Sequence, residues 1–105
     1  MSCYVIAEVE VTDPASFEEY RQRVPATIAK HGGRYLVRGG ATETIEGDWK
    51  PARLIVLEFP TLARARAWYA SPDYAPLVPL RERSARTKLI FAEGIEASSQ
   101  EGRDE

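Results

Sequence analysis

The sequence predicts an α+β fold in which a four-stranded antiparallel sheet carries two helices on one face. Segments of alternating apolar residues and segments of helical apolar spacing follow one another in the order β-α-β-β-α-β. The chain has 105 residues, of which 44% are hydrophobic, and this matches one globular domain. We therefore expect a single domain over residues 1–95. Residues 96–105 carry no large apolar side chain and are expected to form a disordered acidic tail.

The first strand is predicted over Tyr4–Val11, where one face is entirely apolar. Asp13 can accept hydrogen bonds from the free amides at the start of a helix, and Pro14 suits the first helical position. Pro25 lacks an amide hydrogen and is predicted to kink or restart this helix. Gly32-Gly33 supplies the left-handed residue that ends it. The buried stripe of the helix is expected to contain Phe17, Tyr20, Val24 and Ile28.

Short apolar runs predict three further strands, at Arg34–Arg38, Arg53–Phe59 and Thr87–Glu93. Gly39-Gly40 is predicted to form a bulge, after which Thr42–Ile45 continues the strand pairing. Thr61 is the expected cap of a second helix that runs through Tyr69. Ser71-Pro72-Asp73 is expected to restart a helix, which further prolines break.

This order of elements is the ferredoxin-like arrangement. Its sheet has one face that no helix covers, yet the third strand is apolar on both sides. Leu54 and Val56 lie on one side, and Ile55, Leu57 and Phe59 lie on the other. The last strand repeats this pattern with Ile90 and Ala92 opposite Leu89 and Phe91. An exposed apolar face of this size indicates a partner, and the simplest one is a second copy of the chain in a homodimer.

Composition excludes several classes of protein. The net charge is -2, and the cluster of Arg81, Arg83, Arg86 and Lys88 is interpreted as a solvated helix end, so no nucleic-acid partner is expected. No apolar run is long enough to span a membrane, and no secretory leader is recognised at the start. One cysteine fits a reducing cytoplasm. The small number of histidine and cysteine residues, one of each, argues against a metal site, and no dinucleotide or flavin motif predicts a cofactor.

Two residues are candidates for proton transfer. His31 is the only histidine, and its ordinary pKa suits acid–base catalysis, although it also suits a cap at a helix C-terminus. Glu58 lies in an apolar strand, so its carboxylate is either a general base or half of an ion pair. The sequence leaves both alternatives open for each residue.

Candidate ligand-binding residues are arginines and aromatic residues. Arg38, beside two glycines, can bind a carboxylate with both arms of its guanidinium group, or it can pair with a glutamate of the sheet. Arg53 is a second arginine that can orient a carboxylate. The aromatic residues either belong to the core or wall a ligand pocket between helix and sheet. They are Tyr35, Trp68, Tyr69 and Tyr74.

Several short motifs stand out along the chain: the opening strand followed by Thr12–Pro14, then His31–Tyr35, Arg38–Gly40, Glu46–Trp49, Arg53 with Glu58-Phe59, and Trp68–Tyr74. Together they resemble the family known as domain of unknown function 1330, in the dimeric α/β-barrel superfamily. The resemblance covers Tyr4 to about Ile95 and implies a ferredoxin-like protomer in a homodimer with a shared barrel. It implies no reaction, because the superfamily includes cofactor-free monooxygenases, lactone isomerases and haem-handling proteins.

Two functions are consistent with these observations. The first is a small-molecule site between sheet and helices that acts on a small organic acid or an aromatic compound. Its chemistry would be cofactor-free proton transfer, isomerisation or oxygenation, in which His31 or Glu58 moves the proton. The second is a non-catalytic homodimeric binding or structural module, in which the same polar groups form only ion pairs and caps. Whether the protein is an enzyme stays open at this stage.

Overall fold

The computed structural model describes residues 1–95; the predicted tail at residues 96–105 lies outside the described residues. The elements in chain order are β1 (Cys3–Val11), α1 (Pro14–Lys30), β2 (Arg34–Arg38), β3 (Leu54–Phe59), α2 (Leu62–Ala70), a short 3-10 helix (Ala75–Leu77), α3 (Val78–Ser84) and β4 (Ala85–Glu93). The four strands form one antiparallel sheet in the order β2-β3-β1-β4. This order confirms the predicted ferredoxin-like fold. No helix within residues 1–95 is both long enough and apolar enough to cross a membrane.

Strand β1 lies at the centre of the sheet because its alternate residues are all apolar on the side that faces the helices. Val5 lies opposite Leu57 of β3 on one side and Phe91 of β4 on the other. Its neighbours on the same face of β1 are buried, at 6% exposure or less: Cys3, Ala7 and Val9. The predicted buried face of this strand is therefore confirmed.

Helix α1 covers this face and begins at the predicted cap. The side chain of Asp13 accepts a hydrogen bond from the backbone N–H of Ser16. Gly32, with a φ of +80°, follows the helix end in the left-handed conformation expected there. The helix runs through Pro25 without a break, so the predicted restart at that residue is wrong. The predicted stripe faces the core, with Phe17, Val24 and Ile28 buried and Tyr20 packed beside them.

Two predictions about the segment after β2 are wrong. The bulge lies between Tyr35 and Val37 rather than at Gly39-Gly40, and Thr42–Ile45 is not paired with the sheet. The bulge inserts one extra residue into β2, so side chains after it switch to the opposite face of the sheet from the one that strict alternation would give. Tyr35 pairs with Leu57 and Arg38 pairs with Ile55, so both side chains lie on the helix-covered face of the sheet.

The restart after Ser71 also differs from the prediction. Residues 75–77 form a 3-10 helix, and α3 begins only at Val78. The hydroxyl of Ser71 donates to the carbonyl of Trp68 over 2.8 Å and accepts from the N–H of Tyr74 over 3.0 Å. This cap turns the chain sharply after α2 and directs Tyr74 into the core, where it is fully buried.

The opposite face of the sheet, which we call the outer face, carries no helix. Ile6 of β1, Val56 of β3 and Ile90 of β4 form one row across it. Ile90 is 59% exposed. The prediction that the third and last strands carry apolar residues on both sides is therefore confirmed.

Candidate functional site

A narrow cavity lies between the sheet and α1. Its empty space is about 550 Å³, a volume that includes the solvent at its mouth. Most of its wall is apolar and comes from the sheet and α1, for example Val5, Val24 and Leu57, and Trp68 of α2 also lines it. Small-ligand sites typically combine such walls with a few polar groups that fix orientation.

A chain of three polar side chains runs along the cavity wall. Arg81 of α3 is only 7% exposed, and its Nη1 donates a hydrogen bond to the hydroxyl of Tyr74 over 2.9 Å. The hydroxyls of Tyr74 and Tyr20 lie 2.8 Å apart and are hydrogen-bonded. Burial raises the pKa of both tyrosines, so both remain protonated at neutral pH. The chain thus presents neutral hydroxyls and one buried cation to the cavity.

The burial of Arg81 corrects an interpretation made from the sequence. The basic cluster around it was expected to be a solvated helix end, and this is wrong for Arg81. Arg83, two residues later on α3, is exposed as expected. Arg81 lies instead on the buried face of the short helix, together with Leu80 and Ser84.

Three residues that line the cavity each hold a buried polar atom with no hydrogen-bond partner among the described residues. The atoms are Nε of Arg53, Nε of Arg81 and Oγ1 of Thr87. A buried polar group without a partner costs about 1–3 kcal/mol, and such groups are rare in folded proteins. All three atoms belong to residues that line one cavity.

Arg38 and Tyr35 line another part of the wall. The guanidinium carbon of Arg38 lies 4.6 Å from the ring centroid of Tyr35, a cation–π arrangement. Burial raises the pKa of Tyr35. Arg21 of α1 also reaches the cavity, where its Nε lies 3.0 Å from the carboxylate of Glu18. The bulge in β2 explains the pairing of Tyr35 with Arg38, because without it the two side chains would lie on opposite faces.

The two candidates for proton transfer lie away from the cavity. Nδ1 of His31 is 3.0 Å from the carbonyl oxygen of Thr27, at the end of α1. Glu58 lies on the outer face, with its Oε1 2.8 Å from Nη2 of Arg34 and its Oε2 3.4 Å from the hydroxyl of Tyr4. The hydrogen bond from Arg34 lowers the pKa of Glu58. Neither residue lines the cavity, so neither is placed to move a proton on a molecule bound there.

The structure thus brings together five of the eight residues predicted from the sequence. The five that line the cavity are Tyr35, Arg38, Arg53, Trp68 and Tyr74. His31, Glu58 and Tyr69 do not line it. Tyr69 packs edge-on against Phe91, with ring centroids 6.2 Å apart. Trp68 also has a structural role, since its Nε1 donates to Oγ1 of Thr27 over 3.0 Å.

Sequence reasoning missed four polar residues of the cavity: Tyr20, Arg21, Arg81 and Thr87. Tyr20 was assigned to the buried stripe of α1, and a buried tyrosine hydroxyl normally needs a hydrogen-bond partner. Arg81 follows the buried Leu80 and precedes the buried Ser84 at helical spacing, which was an available signal for its burial. Thr87 gave no signal, because its importance depends on its neighbours in space.

The cavity contains no candidate set of metal ligands. Across the part of the chain that the structure describes, no group of three or more histidine, cysteine, aspartate or glutamate residues is placed to hold a metal ion. Among the described residues that line the cavity, the ionisable side chains are arginines and tyrosines only.

Three comparisons relate the chain to known proteins. The family described as Domain of unknown function (DUF1330) matches residues 2–95, as the motifs had predicted. No curated protein matches the chain. A solved protein of unknown function from Rhodopseudomonas palustris superposes with a TM-score of 0.73 at 15% identity, over 90% of this chain and 83% of that one.

Two further solved structures share the fold. One is SnoaB, a cofactor-independent oxygenase from Streptomyces nogalater, with a TM-score of 0.61, 15% identity, and coverage of 91% of this chain and 95% of that one. The other is a dimeric ferredoxin-like protein of unknown function from Jannaschia sp. CCS1, with a TM-score of 0.62, 13% identity, and coverage of 90% of this chain and 100% of that one. At these identities the likeness establishes the fold alone.

Proposed function

The chain belongs to the DUF1330 family, and on that premise we propose that its cavity binds a small organic acid or an aromatic compound. One observation carries this proposal: a single cavity with apolar walls is lined by Arg53, Arg81 and Thr87, each of which holds a buried polar atom without a partner. A ligand that accepted hydrogen bonds there would remove the cost of leaving these groups unsatisfied. The rings of Tyr35 and Trp68 would pack against its body.

Each protomer of a homodimer would hold one such site. The apolar row on the outer face, in which Ile90 of the edge strand β4 is exposed, supports association of two sheets face to face. A structural neighbour described as a dimeric ferredoxin-like protein supports the same assembly. The single, buried cysteine fits a reducing compartment, and a cytoplasmic location is part of the proposal.

Cofactor-free catalysis is a second candidate function, and the shared fold with a cofactor-independent oxygenase is what favours it. The cavity offers arginines and protonated tyrosines but, among its described lining residues, no carboxylate or histidine. Its side chains would therefore bind an acidic substrate and stabilise negative charge that develops on it. They would not abstract a proton themselves. The alternative is a binding module without catalysis.

A thermal-shift screen with small organic acids and aromatic compounds tests the proposed binding. A ligand at 100 times its Kd is expected to stabilise the fold by about 2.7 kcal/mol. Ala7→Leu places extra carbon atoms in the cavity and should abolish the shift. Ile45→Ala, at a residue that is 80% exposed, should leave it unchanged. If no compound shifts the melting temperature, or Ala7→Leu has no effect, the proposal is wrong.

Incubating each compound that binds with the protein in air separates the two candidate functions. A change in the compound, seen by mass spectrometry and dependent on the protein, supports catalysis. A compound that is recovered unchanged supports the binding module.

A further inference from the structure

We infer that the mouth of the cavity is an anion-recognition site, where Arg38 and Arg53 hold the carboxylate of an organic acid whose apolar body lies inside the cavity. This inference rests on the proposed function and narrows it to acids, because apolar walls alone would accept a neutral aromatic compound equally well. The position of the two arginines, their charge and their free N–H groups carry the inference.

The first argument is the place where the cavity opens. Among the described residues that line the cavity, only Arg21 of α1 and Arg38 of β2 are exposed. The two residues are in contact, since Nη2 of Arg38 donates to the main-chain carbonyl of Arg21 over 3.1 Å. The cavity therefore meets the solvent where α1 lies over β2, and a ligand that enters there passes these side chains.

The second argument is the strand register, which brings Arg53 to the same place. Arg38 pairs with Ile55 of β3, and Arg53 precedes Ile55 by two residues, so all three side chains lie on one face of the sheet. Diagonal neighbours on adjacent strands are about 7–8 Å apart, which is within reach of long side chains. A Cβ on Gly39 would lie only 2.6 Å from Cζ of Arg53. The guanidinium group of Arg53 therefore lies across the residue that directly follows Arg38.

The third argument is the charge at the mouth. Nε of Arg21 lies 3.0 Å from the carboxylate of Glu18. Neither Arg38 nor Arg53 forms an ion pair with a carboxylate in residues 1–95, so three guanidinium groups share one carboxylate. All three arginines act on the hydroxyl of Tyr35, where each opposes the rise in pKa that burial causes. An anion at the mouth would be attracted by this excess of positive charge, whereas a neutral molecule would not.

The fourth argument is that N–H groups of both arginines are free to bind a ligand. In Arg53 the buried atom without a partner is Nε. Its two Nη atoms form no hydrogen bond within residues 1–95 and are not buried, so they are open to the solvent. Arg38 is exposed, and only its Nη2 is engaged, by the carbonyl on α1. A carboxylate accepts hydrogen bonds on two oxygens, and the forked N–H groups of an arginine match these oxygens in pairs.

The fifth argument is the wall behind the mouth, which sets the direction of the ligand. Cζ of Arg38 lies 4.6 Å from the ring centroid of Tyr35, so an aromatic surface lies directly beside the charge. Farther inside, the wall consists mainly of apolar side chains such as Val24 and Leu57. A carboxylate placed against these side chains would lose its hydration without a partner. The acid is therefore expected to keep its charged end at the mouth and to place its apolar end inside.

Isothermal titration calorimetry of the full chain with benzoate and benzamide tests the inference. The two probes share one ring and have nearly the same shape, but only benzoate is charged. We expect benzoate to bind at least tenfold more tightly than benzamide. Added sodium chloride should reduce this preference, because charges that face the solvent are screened by salt.

Substitutions assign the preference to the two arginines. Arg38→Met and Arg53→Met should each weaken benzoate binding about tenfold or more and leave benzamide binding unchanged. Arg23→Met is the matched control, since Arg23 is an exposed arginine of α1 that pairs with Glu19 and does not line the cavity. It should change neither affinity. Arg53→Met also removes a buried N–H without a partner, so it remains informative if Arg38→Met does not fold.

Benzamide that binds as tightly as benzoate would overturn the inference and leave the proposed ligand site intact. Arginine substitutions that leave benzoate binding unchanged, or that weaken both probes equally, would also overturn it. A preference for benzoate that salt does not reduce would place the carboxylate away from the mouth, with the same consequence. The inference fails if neither probe binds, and the proposed function fails only if the thermal-shift screen also finds no ligand.

Discussion

Nη2 of Arg38 donates a hydrogen bond to the main-chain carbonyl of Arg21 over 3.1 Å. This carbonyl lies four residues before Pro25, which has no N–H with which to complete the helical hydrogen bond. A side chain from β2 thus takes the position of the missing helical donor. The contact explains how α1 continues through a proline, and it fixes one arginine of the cavity against the helix.

A double-mutant cycle tests this relationship. Arg38→Met removes the donor, and we expect it to lower the free energy of unfolding by about 1 kcal/mol. In the Pro25→Ala background the alanine N–H can donate to the Arg21 carbonyl, so Arg38→Met should lower the free energy of unfolding by less than in the unchanged chain. Urea denaturation followed by circular dichroism measures both values. Equal costs in the two backgrounds would show that the two residues do not compete for this carbonyl.

Gly39 and Gly40 provide a matched pair of substitutions. Gly39 has a φ of +72°, and a Cβ there would lie only 2.6 Å from Cζ of Arg53. Gly39→Ala should therefore destabilise the fold by about 1–2 kcal/mol, because the left-handed backbone disfavours a Cβ and Arg53 must move. A Cβ on Gly40 meets nothing within 4 Å, so Gly40→Ala is the control. Equal urea midpoints for the two variants would contradict this account of Gly39 and Arg53.

How far the fold and site could be predicted depends on the range of the interactions involved. The β-α-β-β-α-β order was predictable because strand alternation and the caps at Asp13 and Thr61 are local signals. The bulge at residue 36 was not, because it depends on how β2 pairs with β3. That one residue decides whether Tyr35 and Arg38 share a face, so the composition of the site could not be settled without it.

The site also shows why residue type alone was misleading. His31 and Glu58 were chosen for their chemistry, but the fold places both outside the cavity. Arg81 was taken for a surface residue because arginine normally is one. Hydrogen bonding to a chain of tyrosine hydroxyls stabilises the buried guanidinium group. This chain begins at Tyr20 of α1, more than fifty residues earlier in the sequence.

The tyrosine pair predicts a loss of stability at high pH. Burial raises the pKa of Tyr20 and of Tyr74 in the folded state above the unfolded value of about 10. The two tyrosines contribute fully to the free energy of unfolding below about pH 10. This contribution is lost as the pH rises above that value, because their hydroxyls ionise readily only in the unfolded chain. Tyr20→Phe should therefore make the free energy of unfolding fall less steeply above about pH 10 than in the unchanged chain. Urea unfolding at a series of pH values measures this, and equal slopes would contradict it.

The outer face predicts the assembly. Ile90 of the edge strand β4 is 59% exposed on this face, in the same row as Ile6 and Val56. Light scattering of the unchanged protein should give twice 11.8 kDa, and Ile90→Glu should give the monomer mass, because a buried unpaired carboxylate opposes association. A protein that is monomeric at micromolar concentration without any substitution would show that the outer face does not form a dimer.

A crystal structure of the protein with a compound that the thermal-shift screen identifies tests the central claim most directly. The account predicts that the compound lies in the cavity between the sheet and α1, with its body packed against Tyr35 and Trp68. An empty cavity, or a compound bound elsewhere on the protein, would contradict the account.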